Sequence, residues 1–403
     1  MNVLFLTMVK IDSKYNEGIY QDFIKELSEK VDNVYVVSPI ERRQNESTHL
    51  INEGNVKILR VKTGDVTKTS KIKKGINQLK LQKQFEKSIN QYFKNINFDL
   101  IVYSTPPITF SKLIVKLKKR FNAITYLMLK DIFPQNAVDL QMMSKKSFIY
   151  KMFRKREIKT YEVSDLIGVM SEENKKYIIK HNNILEEKVH VFRNATYNIN
   201  SNFSSKSILT KFGIDEKTPL IIYGGNIGEP QGFKNIIKFI KNFHKVKRGN
   251  FIVIGDGTRF NEVRVEAEKV DNVYVFNRLP KKEYDSILRC SDIGLIFLDE
   301  RFTIPNYPSR MTSYLSLGKP IIANVDNATD ISRDIEDNKV GFAHYATKID
   351  ESIISINKLI EDKELYNLYS KNAKAFFNRE FKIEQNVDYM LEEVRRIKYE
   401  EIN

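Results

Sequence analysis

Two periodicities alternate along the chain. Short apolar runs recur, and most are followed by a longer segment in which apolar positions return every three or four residues, the sign of strands alternating with amphipathic helices. In the first half the runs lie at 3–9, 34–38, 56–61, 100–104, 123–129 and 166–170. The helical pattern IYQDFIKELSEKV separates the first two. That stretch predicts one β-α-β unit, whose crossover requires parallel strands. The runs are close to continuously apolar, as in a sheet covered on both faces. The second half repeats the scheme with LIIYGG, FIVIGDG, NVYVF, IGLIFL and PIIANV, and with helical patterns beginning near 233, 260, 281 and 309. A polar Asn/Ser-rich stretch, 195–208, reads as the linker. The expected fold class is α/β: two doubly wound, Rossmann-like domains, 1–195 and 196–382, facing a cleft. Periodicity alone leaves the last helical pattern, 383–397, without a place.

Ligands of doubly wound sheets bind beyond the carboxyl ends of the strands. The most informative such end is 219–232, PLIIYGGNIGEPQG, where an apolar strand breaks into Gly224, Gly225 and Gly228 before FKNIIKFIKNF. Glycines let main chain approach a ligand closely, and the first amides of a helix favour an anion. The residues alone fit either a phosphate loop or a plain strand-to-helix turn. Two more loops follow strands in the same half: IGDG, with Gly255, and IPNYPSRMTSYLSLGKP at 304–320. Pro308 and Ser309 suit a helix start. The amides of Ser309, Arg310 and Met311 would then face the cleft, and the Arg310 guanidinium could fork onto phosphate oxygens. Arg278, after NVYVF, is a further cation. In the first half, Asp131 of LKDIFPQNAV ends an apolar strand, where a partly desolvated carboxylate could accept a proton. Lys130 beside it and Gly18 in YNEGIY are the other residues placed to face a ligand.

Composition narrows the classes. The single cysteine excludes an internal disulfide framework, and five scattered histidines offer no metal-ligand spacing. The run at 3–9 has no basic leader, and no segment approaches the ~18 apolar residues of a membrane span. A cytoplasmic protein is expected. The net charge of +15 is uneven: residues 1–195 hold 35 Lys+Arg against 21 Asp+Glu, whereas 196–403 hold 31 against 30. A basic first half suggests a polyanionic or membrane partner. Three of its segments mix cations with apolar residues, beginning at Lys71, Lys112 and Lys145. In the third, Lys151, Arg154, Lys155 and Arg156 are the expected contacts to an anionic inner leaflet, which would make the protein peripheral on the inner face of the membrane. No recognition helix, aromatic RNA-binding strand or zinc-finger spacing supports a nucleic-acid partner.

STPPITF (104–110), LKDIFPQNAVDL (129–140), YGGNIGEPQGF (223–233) and PSRMTSYLSLGKPII (308–322) together resemble the retaining, sugar-nucleotide-dependent family-four glycosyltransferases of the GT-B fold, found in bacterial capsule and O-antigen synthesis. The resemblance covers nearly the whole chain. It implies that Gly225, Asn226, Gly228, Pro308, Ser309 and Arg310 hold the diphosphate of a nucleotide-sugar donor, most simply a UDP-sugar, with Gly255 at the next strand end a further donor contact. It also implies that Arg278 and Leu279 lie by the base, that Asp131 faces the reacting sugar, and that the C-terminal helix returns to the first domain. No cofactor or metal is expected. The acceptor implied is a polyprenyl-diphosphate-linked saccharide, near Gly18 and Lys130. The chain departs from the family pattern where relatives carry a pair of glutamates: Pro305 and Ser313 stand there, with Ser313 left as a ribose contact. Asn226 and Gln231 replace the loop cations of many relatives, and Lys130 replaces a histidine. A nucleoside-diphosphate-sugar epimerase of the same architecture and a basic nucleic-acid-binding protein are the alternatives.

Overall fold

A computed structural model describes residues 1–66, 71–199 and 207–400. Residues 200–206, the middle of the expected linker, lie outside the described residues, as do the side chains at 71–76 and 78–79 in the first basic segment. The chain divides into two compact units, Met1–Tyr197 with Ile383–Asn403, and Asn198–Lys382.

The first unit is an eight-stranded sheet of β1 (Asn2–Leu6), β2 (Asn33–Glu41), β3 (His49–Glu53), β4 (Val56–Thr63), β5 (Leu100–Ser104), β6 (Ile124–Leu129), β7 (Leu166–Val169) and β8 (Val189–Val191), in the order β3-β4-β2-β1-β5-β6-β7-β8. Every pairing is parallel except β3 with β4. That antiparallel edge departs from the wholly parallel sheet expected. HLINE is too polar to register as an apolar run, and it reaches β4 through a turn in which Gly54 takes φ +65°. Strand β8 is too short to stand out. The strand order reverses at β1, with β2 on one side and β5 on the other, so the carboxyl ends of β1 and β5 form a topological switch point. The helix Ile383–Glu400 completes this unit. Its Ile383, Val387, Met390, Leu391 and Val394 share one core with Phe23 and Leu27 of the helix Ile19–Lys30.

The second unit is a six-stranded parallel sheet of β9 (Leu220–Gly224), β10 (Asn250–Ile254), β11 (Val273–Phe276), β12 (Ile293–Phe297), β13 (Ile321–Val325) and β14 (Gly341–Tyr345), ordered β11-β10-β9-β12-β13-β14. Its reversal falls between β9 and β12. The helix Phe233–Lys241 buries Phe233, Ile236, Phe239 and Ile240 in one core with Tyr223, Phe251 and Phe297 of the sheet. That 3.6-residue periodicity sends the chain out of the glycine stretch as a helix. Strand β14, GFAHY, is a half-exposed edge without a continuous apolar run.

Candidate functional site

Each unit carries polar groups at its own switch point. In the second unit β9 ends in Gly224 and Gly225. Gly225 takes φ +141°, where L side chains are strained, and an ideal Cβ on it would lie 2.7 Å from Nη2 of Arg310. The loop is glycine here because the guanidinium occupies the space a side chain would take. Main-chain bonds sew this loop to the one after β10: Gly225 N–H donates to the Ile254 carbonyl (2.9 Å) and Ile227 N–H to the Asp256 carbonyl (2.7 Å). A Cβ on Gly255 would collide with the Gly225 carbonyl oxygen, and one on Gly257 with that of Ile227. Both glycines are therefore demanded by backbone packing against backbone.

Arg310 opens the helix Arg310–Ser316, which follows β12. Its guanidinium stacks over the Tyr223 ring at 4.5 Å, and its Nη1 is buried without a hydrogen-bond partner. A buried cationic donor lacking an acceptor is costly, so this geometry favours an anion at Gly225. Tyr223, Tyr284 and Tyr314 surround the guanidinium; burial pushes the Tyr284 hydroxyl up to about 12, which keeps it neutral at physiological pH. Asn226 and Gln231 hydrogen-bond each other through their side chains, and the Tyr223 hydroxyl donates to the Asn226 carbonyl (2.7 Å). Gly228 packs near Thr258 Oγ1.

The expected use of three free amides at 309–311 needs correction. Ser309 takes the cap position without a side-chain capping bond, and the Met311 N–H already donates to the Pro308 carbonyl (3.2 Å). The first turn tightens to an i→i−3 bond, which consumes that donor. Pro305 is buried, and Ser313 is half-buried on the same helix as Arg310. Arg278 is exposed in the loop after β11, two strands from β9, with half-buried Leu279 next to it.

Sequence reasoning missed an ion-pair network beneath the loop. Glu229 accepts from Arg259 Nε (3.1 Å) and Nη2 (2.9 Å) through one oxygen and from Arg301 Nη2 (2.9 Å) through the other; Arg301 also grips Asp299. These residues follow β9, β10 and β12, so the network ties three strand-end loops together. Glu229 is 30 residues from Arg259 and 72 from Arg301, and no local signal connects the three.

In the first unit the switch point is built from side chains. Thr7, at the end of β1, and Ser104, at the end of β5, are buried and bonded through their hydroxyls (3.2 Å), and the Tyr20 hydroxyl engages Ser104. Thr105 Oγ1 accepts from the Lys130 N–H (2.9 Å). Gly18 begins the neighbouring helix at φ +156°. Thr7 and Tyr20 went unread, and Ser104 and Thr105 of STPPITF were given no role, because strand order, which makes this end a switch point, is invisible in sequence. Lys130 reaches the Phe192 carbonyl (3.4 Å) and lies over that ring (5.2 Å); burial lowers its ammonium to about 7. Burial raises the Asp131 carboxyl to about 6, although the Asn136 side-chain amide donates to it (2.8 Å).

Of the four cations expected at a membrane, Lys151 and Lys155 are exposed. Arg154 is committed elsewhere. It pairs with buried Glu157 (2.6 Å) and donates to the His181 carbonyl (3.0 Å) and the Asn182 side chain (2.5 Å). A buried carboxylate requires such a partner, which removes Arg154 from the docking set. Arg156 is half-buried, with Nη1 enclosed.

The fold is GT-B. The chain is similar to sucrose-phosphate synthase from Thermosynechococcus elongatus (13% identity, TM-score 0.75, 99% of this chain and 100% of that one). It is also similar to Anabaena HepE, solved in complex with UDP (15%, TM-score 0.67, 98% and 100%), and to WaaG, a glycosyltransferase involved in lipopolysaccharide biosynthesis (11%, TM-score 0.64, 96% and 99%). Residues 204–376 match the family model described as glycosyl transferases group 1. The probable glycosyltransferase WbjE of Pseudomonas aeruginosa is 25% identical over 228 residues, 54% of this chain and 54% of that protein, so the chain spans about half the length of the curated relative it matches. Both matches are to glycosyltransferases, and the family model lies within the second unit.

Proposed function

We propose that the protein transfers a sugar from a nucleoside-diphosphate sugar, a UDP-sugar first of all, to a lipid-linked saccharide in bacterial surface-polysaccharide synthesis. The observation that carries this reading is the Arg310 guanidinium, lodged against Gly225 at the β9/β12 switch point with a buried nitrogen lacking an acceptor. Gly225, Gly228 and Gly255 let main chain approach the diphosphate, and Arg310 balances the charge that grows on it as the glycosidic bond breaks. Asn226 and Gln231 shape the loop; Ser309 and Pro308 set the helix start; Ser313 offers a hydroxyl to the ribose; Arg278 and Leu279 line the base. In the first unit Asp131 orients or deprotonates the acceptor hydroxyl. Lys130 and Gly18 hold the acceptor.

UDP in the Anabaena neighbour and UDP-2-fluoro glucose in an Escherichia coli neighbour support the donor class. The lipopolysaccharide role of WaaG supports the acceptor class. Retention of configuration follows from the family resemblance. Work takes place at the inner face of the membrane and needs no metal; no helix among the described residues is long and apolar enough to cross a bilayer.

The deciding experiment incubates the protein with UDP-, GDP- and dTDP-sugars in EDTA, with and without polyprenyl-diphosphate saccharide. Acceptor-dependent nucleotide release is expected. Sugar conversion without an acceptor would establish the epimerase instead, and dependence of release on added Mg²⁺ would overturn metal independence.

A further inference from the structure

The helix Phe148–Val163 has one face in the protein and one unpartnered tip. On the inward face Phe153 packs on Phe133 (ring centroids 5.0 Å), Thr160 Oγ1 donates to the Ile108 carbonyl (3.4 Å), and Glu157 and Tyr161 are buried. At its start the pattern inverts. Phe148 is 81% exposed and Ile149 54%, and Met142, in the preceding turn, is 59% exposed. Isolated exposed apolar residues are ordinary, but three large ones within the short stretch 142–149 offer a contact surface.

The tip is held open by bonding. Met142 and Met143 N–H groups both donate to the Ala137 carbonyl (2.8 and 3.1 Å). Ser147 Oγ caps the helix by accepting from Tyr150 N–H (3.1 Å) and donates in turn to the Ser144 carbonyl (2.7 Å). The exposure of Phe148 and Ile149 is therefore a fixed property of the turn. Lysines collar it: Lys145, Lys146, Lys151 and Lys155 are all exposed, none has an ion-pair partner among the described residues, and no Asp or Glu occurs between Asp139 and Glu157.

We infer that Met142, Phe148 and Ile149 form a wedge that enters the acyl region of an anionic phospholipid bilayer, with the lysine collar seated among the headgroups. Three apolar side chains offer a bilayer the dehydration it rewards, and the collar supplies the complementary charge. Both features are on one tip, which sets this surface apart from the helix Ser111–Phe121. There Lys116 is paired with Glu86 (2.7 Å) and Lys118 with Asp165 (2.5 Å). The wedge rests on the proposed membrane-linked acceptor only for its purpose; bilayer entry is measured without donor or acceptor, so its failure leaves the transfer experiment standing.

The chain has no tryptophan, so Phe148→Trp gives a single optical reporter at the tip. On vesicles of phosphatidylcholine with phosphatidylglycerol, its emission should move to the blue and be quenched by bromine on the acyl chains. Phosphatidylcholine alone should produce neither effect. Ile354→Trp, at a residue 67% exposed in the second unit, should stay unshifted. Adding Lys151→Glu and Lys155→Glu to the reporter should lower partitioning at least about tenfold. Folding is checked by the thermal midpoint, which substitutions at exposed positions leave unchanged. The inference is overturned if emission of the Phe148→Trp variant is indifferent to the vesicles, if it shifts without acyl-chain quenching, if Ile354→Trp responds alike, or if the reporter shifts only on adding a partner protein.

Discussion

The two strand-end sites are built from different material. In the second unit the surface is mostly main chain, with glycines at 225, 255 and 257 packed backbone to backbone and one arginine supplying charge. In the first unit it is side chains: the hydroxyls of Thr7, Ser104 and Thr105, the Lys130 ammonium and the Asp131 carboxyl. Main-chain recognition suits a group that never changes, such as a diphosphate. Side-chain recognition suits a partner that differs from one relative to the next. The first kind fails when geometry is disturbed and the second when chemistry is.

The sharpest test of that contrast is Asp131→Asn, which keeps shape and removes a base. kcat should fall by about 10²–10⁴ with the nucleotide Kd unchanged. Burial raises this carboxyl to about 6, so it is ionised and competent above that pH, and wild-type kcat should decline as pH falls through about 6. The same raised value makes ionisation unfavourable to folding: the stabilisation present below the ordinary carboxylate range is lost as pH rises from that range through about 6. Asp131→Asn should therefore gain stability relative to wild type above that pH, read from melts across the range.

Gly255→Val should come next in size, because its side chain would collide with the Gly225 carbonyl. Nucleotide affinity should fall by at least about a hundredfold, with ~3 kcal/mol lost from folding, measured by calorimetry and by denaturant titration. Arg310→Ala removes charge and leaves the loop standing. It should weaken nucleotide binding by ~2–3 kcal/mol, the worth of a charged hydrogen bond, while Gln231→Ala changes it less than about threefold. Equal losses from these two would show that the diphosphate does not sit over Arg310.

The same contrast governs what could be read from sequence. Three strands of the second sheet announce themselves because a glycine or proline closes or follows the run within a few residues, at Gly224, Gly255 and Pro280. The helix start at Phe233 was legible to the residue, as was the one at Lys281. Arg310 stood out beside Pro308, but its stacking on Tyr223 joins residues far apart in sequence and could not be inferred. The Glu229–Arg259–Arg301 network shows the same limit: charge pairing across three loops leaves no periodic trace. Arg154 illustrates the converse. In sequence it belongs to a basic cluster, yet one buried glutamate a helical turn away decides its role. Polar edges such as β3 and β14 went unread because pairing on one side only relaxes the demand for apolar residues.

The helix Ile383–Glu400 also sets an order of assembly during synthesis. The residues that close the first unit over Phe23 and Leu27 leave the ribosome only after the whole of the second unit has been translated. The second unit thus has all its parts first, while the half that begins the chain waits, with an apolar face open, for Val387, Met390 and Val394. A nascent chain stalled within the second unit would be the form most in need of a chaperone, because its first half cannot bury that face by itself.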